Sequence, residues 1–483
     1  MSSADGEQTL EDRIGRIWDL ARGFGLDPFP VHFEVVPATI MYEFGAYGLP
    51  GRFSHWTHGK AYHSMKTSYD YGLSKIYELV INTNPSYAFL LDTNTLLDDS
   101  FVAAHVLGHV DFFKHNAYFA RTNRDMLETV QVDADRIRSY EFEYGAREVE
   151  EFLDAVLSID EHVDPFRPVR EDASDPGRRS GDRHGEQHGH QRGAGDRRGA
   201  DRRGPSGRRD DKKRRAQTAW DDLFEAEEPA EGEEARKPGR RGVELPEKDL
   251  LWFLHQYAEN LEDWQRDVIA IVRQEMLYFI PQMQTKIMNE GWASFWHNRI
   301  MRELDLSDKE FTDFAALHAS VLAPNRKRVN PYHLGFKMWE DIEKRFGRDR
   351  LFEARELECD QSFLRNYLTE DLVQDLDLYV YALEGDEWKV TEKAWEKVRD
   401  TLVDSLTNFG QPYITVEDGN YGRKRELYLK HHFDGQALDV PYAERALAAV
   451  EKLWGFPAHL ETELHGRKVV LTCEGGQVLK TMY

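Results

Sequence analysis

Two histidines four residues apart are the strongest chemical signal in this sequence. His105 and His109 lie in the run FVAAHVLGHVDFFKHNAYF, which is apolar on nearly every side and predicts a buried helix. Residues four apart share a helix face, so both imidazoles project the same way. Each ring needs a partner, because an unsatisfied buried polar group costs about 1–3 kcal/mol. A divalent metal ion satisfies both rings at once, and hydrogen bonds in an ordinary core satisfy them separately. The spacing leaves both interpretations open.

The segment NEGWASFWH supplies a carboxylate that can join these histidines. Glu290 and His297 are seven residues apart and share one face of a predicted helix, with Ser294 between them. Gly291 lies in this helix and Gly108 in the first, although glycine costs a helix about 1 kcal/mol relative to alanine. Close approach of two helix backbones explains both glycines. We therefore expect the two helices to cross near these residues.

A crossing at this point predicts a metal centre. Glu290 then reaches His105 and His109, and the three side chains form a ligand set of two histidines and one carboxylate. Three protein ligands leave a coordination position for water, which suits a catalytic zinc or iron site, and zinc is the ion we expect. Coordination by His297 as a fourth ligand would close the site, as in structural centres. The rival partner for a buried Glu290 carboxylate is Arg273, on the preceding helix.

The catalytic base of such a centre is harder to assign. A strand followed by an H-x-x-x-H helix, with a glutamate from a later helix, resembles the ligand plan of zinc peptidases. Those enzymes carry a glutamate base directly after the first histidine, where this chain has Val106. We expect Glu275 or His297 to take the catalytic role, with Asp133 as a further candidate. Their spacing does not choose among them.

A second polar cluster lies in the segment GRFSHWTHGKAYHSMKTSYDYGLSK. Basic and polar residues are dense there among aromatic ones. The residues that we expect to bind substrate are Arg52, His55, His58, Lys66 and Tyr71. Such a cluster suits an anionic group on the substrate. The alternative is a hydrogen-bonded loop that packs over the core.

The elements that must position these residues are mainly helical. YELVIN and SYAFLLD predict two strands joined by an Asn-Pro turn, directly before the histidine helix, which we expect Asp99 or Ser100 to cap. Another helix is predicted over Asp125–Tyr144. WFLHQYAENLEDWQRDVIAIVRQEMLYF predicts a single long helix that ends near Pro281, and a further helix follows from about Thr285.

These patterns together predict an α+β protein. A mainly helical N-terminal and central domain, with a small zincin-like β-sheet, occupies residues 1–164 and 244–374. Alternating strands and two helices after it predict a small C-terminal α+β domain over residues 375–483. The stretch 165–243 is rich in Gly, Arg and Asp and has almost no hydrophobic residues. Because it cannot offset its ordering entropy by burial, it predicts a disordered, charged insert.

The composition limits the setting and the partners of the protein. A formal charge of -24 predicts repulsion of nucleic-acid phosphates, except for weak binding by the basic insert. An acidic surface is typical of proteins from salt-loving organisms, although ordinary acidic proteins share it. Only two cysteines occur, and the sequence has neither a signal-like start nor an apolar run of membrane-spanning length. We therefore expect a cytoplasmic protein without a membrane span.

Several motifs resemble those of a known family, SpoVR (stage V sporulation protein R). The similar segments are GLPGRFSHWTHGK, GLSKIYELVINTNPSYAFLLD, AHVLGHVDFFKHN, NEGWASFWH, PYHLGF and SFLRNYLT. The resemblance covers roughly residues 10–160 and 246–483, on both sides of the insert. The family's A-H-x-x-G-H pattern is met from Ala104 to His109, and its N-E-G-W-A-x-F-W-H pattern from Asn289 to His297. The usual bacterial members lack an insert of this length.

The resemblance implies a role in stress response or in cell-envelope processes such as sporulation. It also implies two partners, a PrkA-type serine protein kinase and a von Willebrand-A-like protein. The family establishes no reaction, so the candidate ligand set and the resemblance together leave two functions open. The first is a metal-dependent hydrolase of amide bonds. The second is a non-catalytic regulator or scaffold in the kinase-linked pathway, with the C-terminal domain as its docking module. An open fourth metal position favours the first function, and a sealed site favours the second.

Overall fold

The structure is a computed structural model. The residues that it describes are 9–70, 78–167, 245–324, 329–384 and 387–483. The described residues up to 165 and from 245 onwards form one compact unit. The predicted insert lies almost entirely outside the described residues, and Tyr71 lies outside them as well.

Helices predominate among the described residues. In chain order the α-helices are α1 Leu10–Gly23, α2 Ala38–Tyr47, α3 Trp56–Asp70, α4 Leu96–His115, α5 Met126–Tyr144, α6 Ala146–Leu157, α7 Leu250–Tyr257, α8 Asp263–Gln284, α9 Lys286–Glu303, α10 Asp308–Val321, α11 Pro331–Phe346, α12 Arg348–Leu357, α13 Asp360–Tyr367, α14 Glu370–Asp375, α15 Trp395–Ser405 and α16 Val440–Trp454. The helix predicted over Asp125–Tyr144 is α5, and the one predicted from about Thr285 is α9.

Within the described ranges, the strands form two small sheets and one isolated pair. They are β1 Val31–Val36, β2 Glu78–Ile81, β3 Ser86–Leu91, β4 Val380–Glu384, β5 Glu387–Glu392, β6 Ile414–Tyr421, β7 Glu426–His431, β8 Ala458–Leu464, β9 Arg467–Glu474 and β10 Gln477–Met482. The first sheet has the order β1-β3-β2, with β1 parallel and β2 antiparallel to β3. The second has the order β10-β9-β8-β7-β6, in which only β7 and β8 are parallel. β4 and β5 pair with each other.

The α+β class is confirmed, and both strands predicted before the histidine helix are present. β1 was not predicted; it pairs in parallel with β3 from Val31–Ser86 to Val36–Leu91. β3 is thus the central strand of its sheet, which explains its nearly continuous apolar sequence. The likeness of this sheet to a zincin sheet stays a prediction, as do the domain boundaries.

The histidine helix α4 lies in the centre of the largest hydrophobic core. It begins at Leu96, nearly one turn before the predicted cap. Thr95 accepts a hydrogen bond from the amide of Asp98, and the Asp98 side chain accepts one from the amide of Thr95, so a capping box starts the helix. Every residue from Asp99 to Phe113 is buried. The two histidines are therefore held on a rigid element.

Glycines mark two separate helix crossings around this core. A Cβ atom on Gly108 would lie 2.6 Å from Cα of Ala293, so α4 and α9 touch there, backbone to backbone. A Cβ atom on Gly291 would lie 2.4 Å from Cα of Gly335, so this glycine faces α11. The predicted crossing of the two helices is present. The prediction that Gly108 and Gly291 serve the same crossing is wrong, because they point to different neighbours.

The long helix predicted after the insert is two helices. α7 ends at Tyr257, and a capping box formed by Glu262 and Gln265 starts α8. Pro281 does not end α8, which continues to Gln284. The single-helix prediction is wrong because the apolar periodicity continues across the short loop and gives no sign of the break.

The C-terminal region has the strands and helices that its alternating sequence predicted. α16 buries its apolar face, including Leu447 and Val450, beside the five-stranded sheet. The isolated bridge between Glu247 and Val416 ties this sheet to the start of the second half of the core. Among the described residues, no helix combines the length and apolar character needed to cross a membrane.

Candidate metal centre

Three side chains from α4 and α9 converge on one point. Oε2 of Glu290 lies 3.4 Å from Nε2 of His109 and 3.7 Å from Nε2 of His105. The potential ligand atoms of the three residues all lie within 4.8 Å of one another. The sequence predicted that Glu290 would lie close to the two histidines, and these distances agree with that prediction.

Helix geometry and one close contact produce this arrangement. His105 and His109 project from the same face of α4, and Gly108 on that helix lets Ala293 approach to backbone contact. Glu290 lies three residues before Ala293 on α9, so it shares the face that meets α4. The pair of helices is therefore fixed with the carboxylate directly opposite the imidazoles.

A hydrogen bond orients His109 from the side away from Glu290. Nδ1 of His109 lies 2.9 Å from Oδ1 of Asn289. An amide oxygen only accepts, so Nδ1 of His109 carries a proton and donates to Asn289, and Nε2 is the nitrogen that faces Glu290. Metal-binding histidines usually donate their second ring N–H in this way.

His105 is oriented by other histidines. Its Nδ1 lies 2.8 Å from Nδ1 of His297, and Nε2 of His297 lies 2.8 Å from Nδ1 of His318 on α10. His297 is fully buried, and burial lowers its pKa well below the usual value. His297 thus lies behind His105, hydrogen-bonded at both nitrogens, rather than beside Glu290 as a fourth ligand.

Aromatic rings enclose the two imidazoles. Phe101 and Tyr332 stack on His105 with ring centroids 6.4 and 6.0 Å away, and Phe113 stacks on His109 at 6.1 Å. The His105 and His109 side chains are 3% and 7% exposed, whereas the Glu290 side chain is 15% exposed. Glu290 is thus the most exposed of the three side chains, although its Oε2 atom, which faces the imidazoles, is buried.

Glu290 is a carboxylate rather than a neutral acid. Burial acts to raise its pKa, but the proximity of His105 and His109 outweighs burial and holds the pKa well below its usual value. The rival partner Arg273 is elsewhere: its guanidinium binds Asp249, with Nη2 2.7 Å from Oδ2. The Arg273 alternative for Glu290 is therefore wrong.

The structure places Glu275 in a different cluster from the histidines. Nε of Arg52 donates to Oε2 of Glu275 at 2.6 Å, and Glu275 is 1% exposed. Burial raises the pKa of Glu275 to about 7, although Arg52 acts in the opposite direction. Asp133 is also buried and accepts from Arg136 at 3.2 Å. Neither acid belongs to the group formed by His105, His109 and Glu290.

The predicted substrate cluster is partly assembled around the same arginine. Arg52 lines a cavity of about 220 Å³. Nδ1 of His55 lies 2.7 Å from the hydroxyl of Thr57, and Nε2 of His55 lies 3.1 Å from Oδ1 of Asp154. The other members differ: the ring of His58 packs on aromatic neighbours, Lys66 is half-buried on α3, and Tyr71 lies outside the described residues. His55 thus has polar partners and His58 packs against aromatic rings, although Nδ1 of His58 has no hydrogen-bond partner among the described residues.

Sequence reasoning missed two residues of the centre. Asn289 directly precedes Glu290 in NEGWASFWH. Its position next to the candidate ligand is the sequence signal that could have identified it. His318 is a lone histidine of α10 with no informative spacing to the other histidines. Only the packing of α10 on α4 and α9 brings it into the line.

Comparison with known proteins shows the family to which this chain belongs. The chain matches the family model described as SpoVR like protein over residues 5–411, and the one described as SpoVR-like C-terminal domain over residues 412–465. The chain therefore belongs to the SpoVR family. It is 28% identical over 499 residues to the uncharacterized protein YcgB of Escherichia coli (strain K12). The alignment covers 94% of this chain and 92% of YcgB. No solved structure matches the chain.

Proposed function

We propose that this chain is a metal-dependent hydrolase of amide bonds, with one zinc ion held by His105, His109 and Glu290. Oε2 of Glu290 is the observation that supports the proposal most directly. It faces Nε2 of both imidazoles and, within the described residues, accepts no hydrogen bond. A buried carboxylate oxygen needs a donor or a cation. A metal ion between the three atoms satisfies the carboxylate and both rings.

The proton on His109 strengthens the case for a cation. Its Nδ1 donates to Asn289, so a neutral ring turns the lone pair of Nε2 towards the carboxylate at 3.4 Å. A positive charge between the two atoms, from a second ring proton or from a cation, removes their repulsion. A metal ion supplies that charge without disturbing the hydrogen bond to Asn289.

The distances fit a zinc ion. Two ligand atoms about 2.0–2.2 Å from a tetrahedral zinc are roughly 3.3–3.6 Å apart. Oε2 of Glu290 lies at this spacing from Nε2 of His109, at 3.4 Å, and slightly beyond it from Nε2 of His105, at 3.7 Å. A small movement of the Glu290 and His105 side chains towards each other would bring both pairs to this spacing.

An open position supports catalysis rather than a structural role. Three protein ligands leave a fourth position, and zinc lowers the pKa of a water bound there to about 7. We propose that water reaches this position from the side of Glu290, the most exposed of the three side chains at 15%. The amide-bond class follows from the resemblance to the ligand plan of zinc peptidases. We propose that the cavity lined by Arg52 binds an anionic part of the substrate.

Metal content of the full-length protein tests the proposal. Wild type, purified without chelator and given Zn²⁺, should retain about one zinc per chain after gel filtration. Glu290→Gln keeps the shape and removes the charge, so it should lose most of the metal while it keeps its helicity. His109→Gln should behave in the same way. Zinc-loaded wild type should then release amines from a peptide mixture, and the variants should not.

Glu303→Gln is the matched control, because Glu303 is an exposed glutamate of the same helix. It should retain zinc as wild type does. Equal zinc in wild type and Glu290→Gln would end the proposal of this site. Zinc retained without any amide hydrolysis would leave a metal centre and remove the hydrolase.

One observation favours the second candidate, a regulator or scaffold in a kinase-linked stress pathway. Within the described residues, β10 is an edge strand that pairs only with β9, and Leu479, Met482 and Tyr483 near it are exposed. An exposed edge suits addition of a strand from a partner. We propose the PrkA-type kinase and the von Willebrand-A-like protein as partners, and the cytoplasm as the location, for either function.

A further inference from the structure

Three imidazoles form one hydrogen-bonded line that starts at the proposed metal centre. His105 contacts His297 through their Nδ1 atoms, and Nε2 of His297 contacts Nδ1 of His318, each at 2.8 Å. We propose that His297 and His318 are positioning residues of the centre, and that metal binding at His105 reverses the direction of both hydrogen bonds. This inference rests on the proposed metal centre and adds a readout of its occupancy at His318.

His297 is fully buried, and each of its ring nitrogens contacts another imidazole. Removal from water disfavours a charged ring, so His297 carries a single proton. Burial likewise lowers the pKa of His318 to about 4, and Arg302 and Lys337 act in the same direction. A neutral imidazole donates through one nitrogen and accepts through the other. The direction of the first hydrogen bond therefore decides the direction of the second.

Two arrangements of the protons satisfy both contacts. In the outward arrangement, His105 donates from Nδ1 to His297, and His297 donates from Nε2 to His318, whose own proton is on Nε2. In the inward arrangement, His318 donates from Nδ1 to His297, and His297 donates from Nδ1 to His105, whose own proton is on Nε2. Each ring keeps one proton in both arrangements, so no ring changes its charge.

A metal ion and a carboxylate alone select opposite arrangements. A metal takes the lone pair of Nε2 of His105, so the proton of that ring must be on Nδ1 and the line is outward. In the absence of metal, Oε2 of Glu290 at 3.7 Å favours a proton on Nε2 of His105, and the line is inward. On metal binding, Nε2 of His105 releases a proton to solvent, each bridging proton moves to the ring nearer the metal, and Nε2 of His318 takes up a proton.

His318 carries the change towards the surface. It lies on α10, a helix with a single buried residue among those described, Phe314, and its ring packs against Phe314 and Phe336. His318 itself is half-buried. Its outer nitrogen, Nε2, is an acceptor in the inward arrangement and a donor in the outward one. Metal occupancy of a buried centre thus alters the hydrogen-bonding character of a residue near the surface.

The tautomer of His318 is the direct test. Full-length protein labelled with ¹⁵N-histidine is compared with and without Zn²⁺ by two-bond ¹H–¹⁵N NMR spectra, and His318→Gln identifies the ring signals. We expect the proton of His318 on Nδ1 without zinc and on Nε2 with zinc. The same tautomer in both samples would overturn the inference.

Zinc affinity, measured by competition with a chromophoric chelator, tests the positioning role. His297→Gln keeps one donor and one acceptor, so it should bind zinc within about threefold of wild type, whereas His297→Leu should bind about 10–100-fold more weakly. His318→Phe should bind about three- to tenfold more weakly. His63→Phe, which changes an exposed histidine of α3, should leave the affinity unchanged.

The outcomes separate this inference from the proposed function. If wild type binds zinc and His297→Leu and His318→Phe bind it with the same affinity, the positioning role is overturned and the metal centre remains. Wild type that binds no zinc would overturn both. Weaker binding by His297→Leu, recovered in His297→Gln, would support the hydrogen-bonded line over a loss of packing alone.

Discussion

Asn289 shows how a single residue prepares the proposed centre. Its amide oxygen accepts the Nδ1 proton of His109 and so leaves Nε2 of that ring to face Glu290. Asn289 is buried and lies in the first turns of α9 beside the glutamate. Its effect on metal binding therefore operates through the orientation and tautomer of His109.

We predict that Asn289→Leu lowers zinc affinity by about 10–100-fold, because the ring of His109 loses the acceptor that fixes its tautomer. Asn289→Asp keeps an acceptor at the same place and should bind zinc at least as well as wild type. Chelator competition measures both constants. Asn298→Leu, farther along the same helix, is the control. Unchanged affinity in Asn289→Leu would show that His109 needs no such partner.

At the scale of elements, α9 is held between two neighbours by different glycines. Gly108 of α4 admits Ala293, and Gly291 meets Gly335 of α11. The buried carboxylate of Asp360 also accepts from the amides of Ile287 and Met288 at the start of α9. The position of Glu290 opposite the histidines therefore depends on three contacts along one helix.

We predict that Gly291→Ala destabilises the protein by about 1–3 kcal/mol or more, because its Cβ would lie 2.4 Å from the backbone of Gly335. Gly15→Ala, in α1, is the matched control: no atom lies within 4 Å of the added Cβ, so it should stabilise by up to about 1 kcal/mol. Urea unfolding measures both free energies. A Gly291→Ala protein as stable as wild type would contradict the close crossing.

At the scale of the whole molecule, buried groups of two kinds oppose each other in acid. Burial lowers the pKa of His58 to about 4, with Arg52 and His55 acting in the same direction. Burial raises the pKa of Glu275 to about 7 despite Arg52. As pH falls from about 6.5 to 4, the unfolded chain binds a proton at His58 that the folded protein refuses, and stability is lost. Between about 4.5 and 7 the folded protein keeps a proton on Glu275 that the unfolded chain releases, so stability is gained as pH falls.

We predict that replacing these two groups changes the pH dependence of the free energy of unfolding in opposite directions. Relative to wild type, His58→Gln should become more stable by about 1–3 kcal/mol as pH falls from 6.5 to 4.5. Over the same fall, Glu275→Gln should become less stable relative to wild type by a similar amount. Urea midpoints at several pH values give both differences. Parallel profiles for the two variants and wild type would show that neither group is perturbed in the folded protein.

Local periodicity is what the sequence by itself determined about this protein. The i,i+4 spacing of His105 and His109, the carboxylate in NEGWASFWH and the alternation of the C-terminal strands depend only on helix and strand geometry, which is the same in every protein. Capping signals and apolar periodicity predicted most of the helices. They did not predict the cap of α4 at Thr95 or the break before α8. The family was also legible in the motifs.

Only the tertiary structure decided which residues meet across the chain. Arg273 binds Asp249 instead of Glu290, Gly291 faces Gly335 instead of Gly108, and His318 joins a line that begins 213 positions earlier in the chain, at residue 105. Such contacts depend on how whole helices pack, and packing is set by the summed shapes of many side chains. No spacing along a single element contains that information, because the partners lie on separate elements that only the folded core brings together.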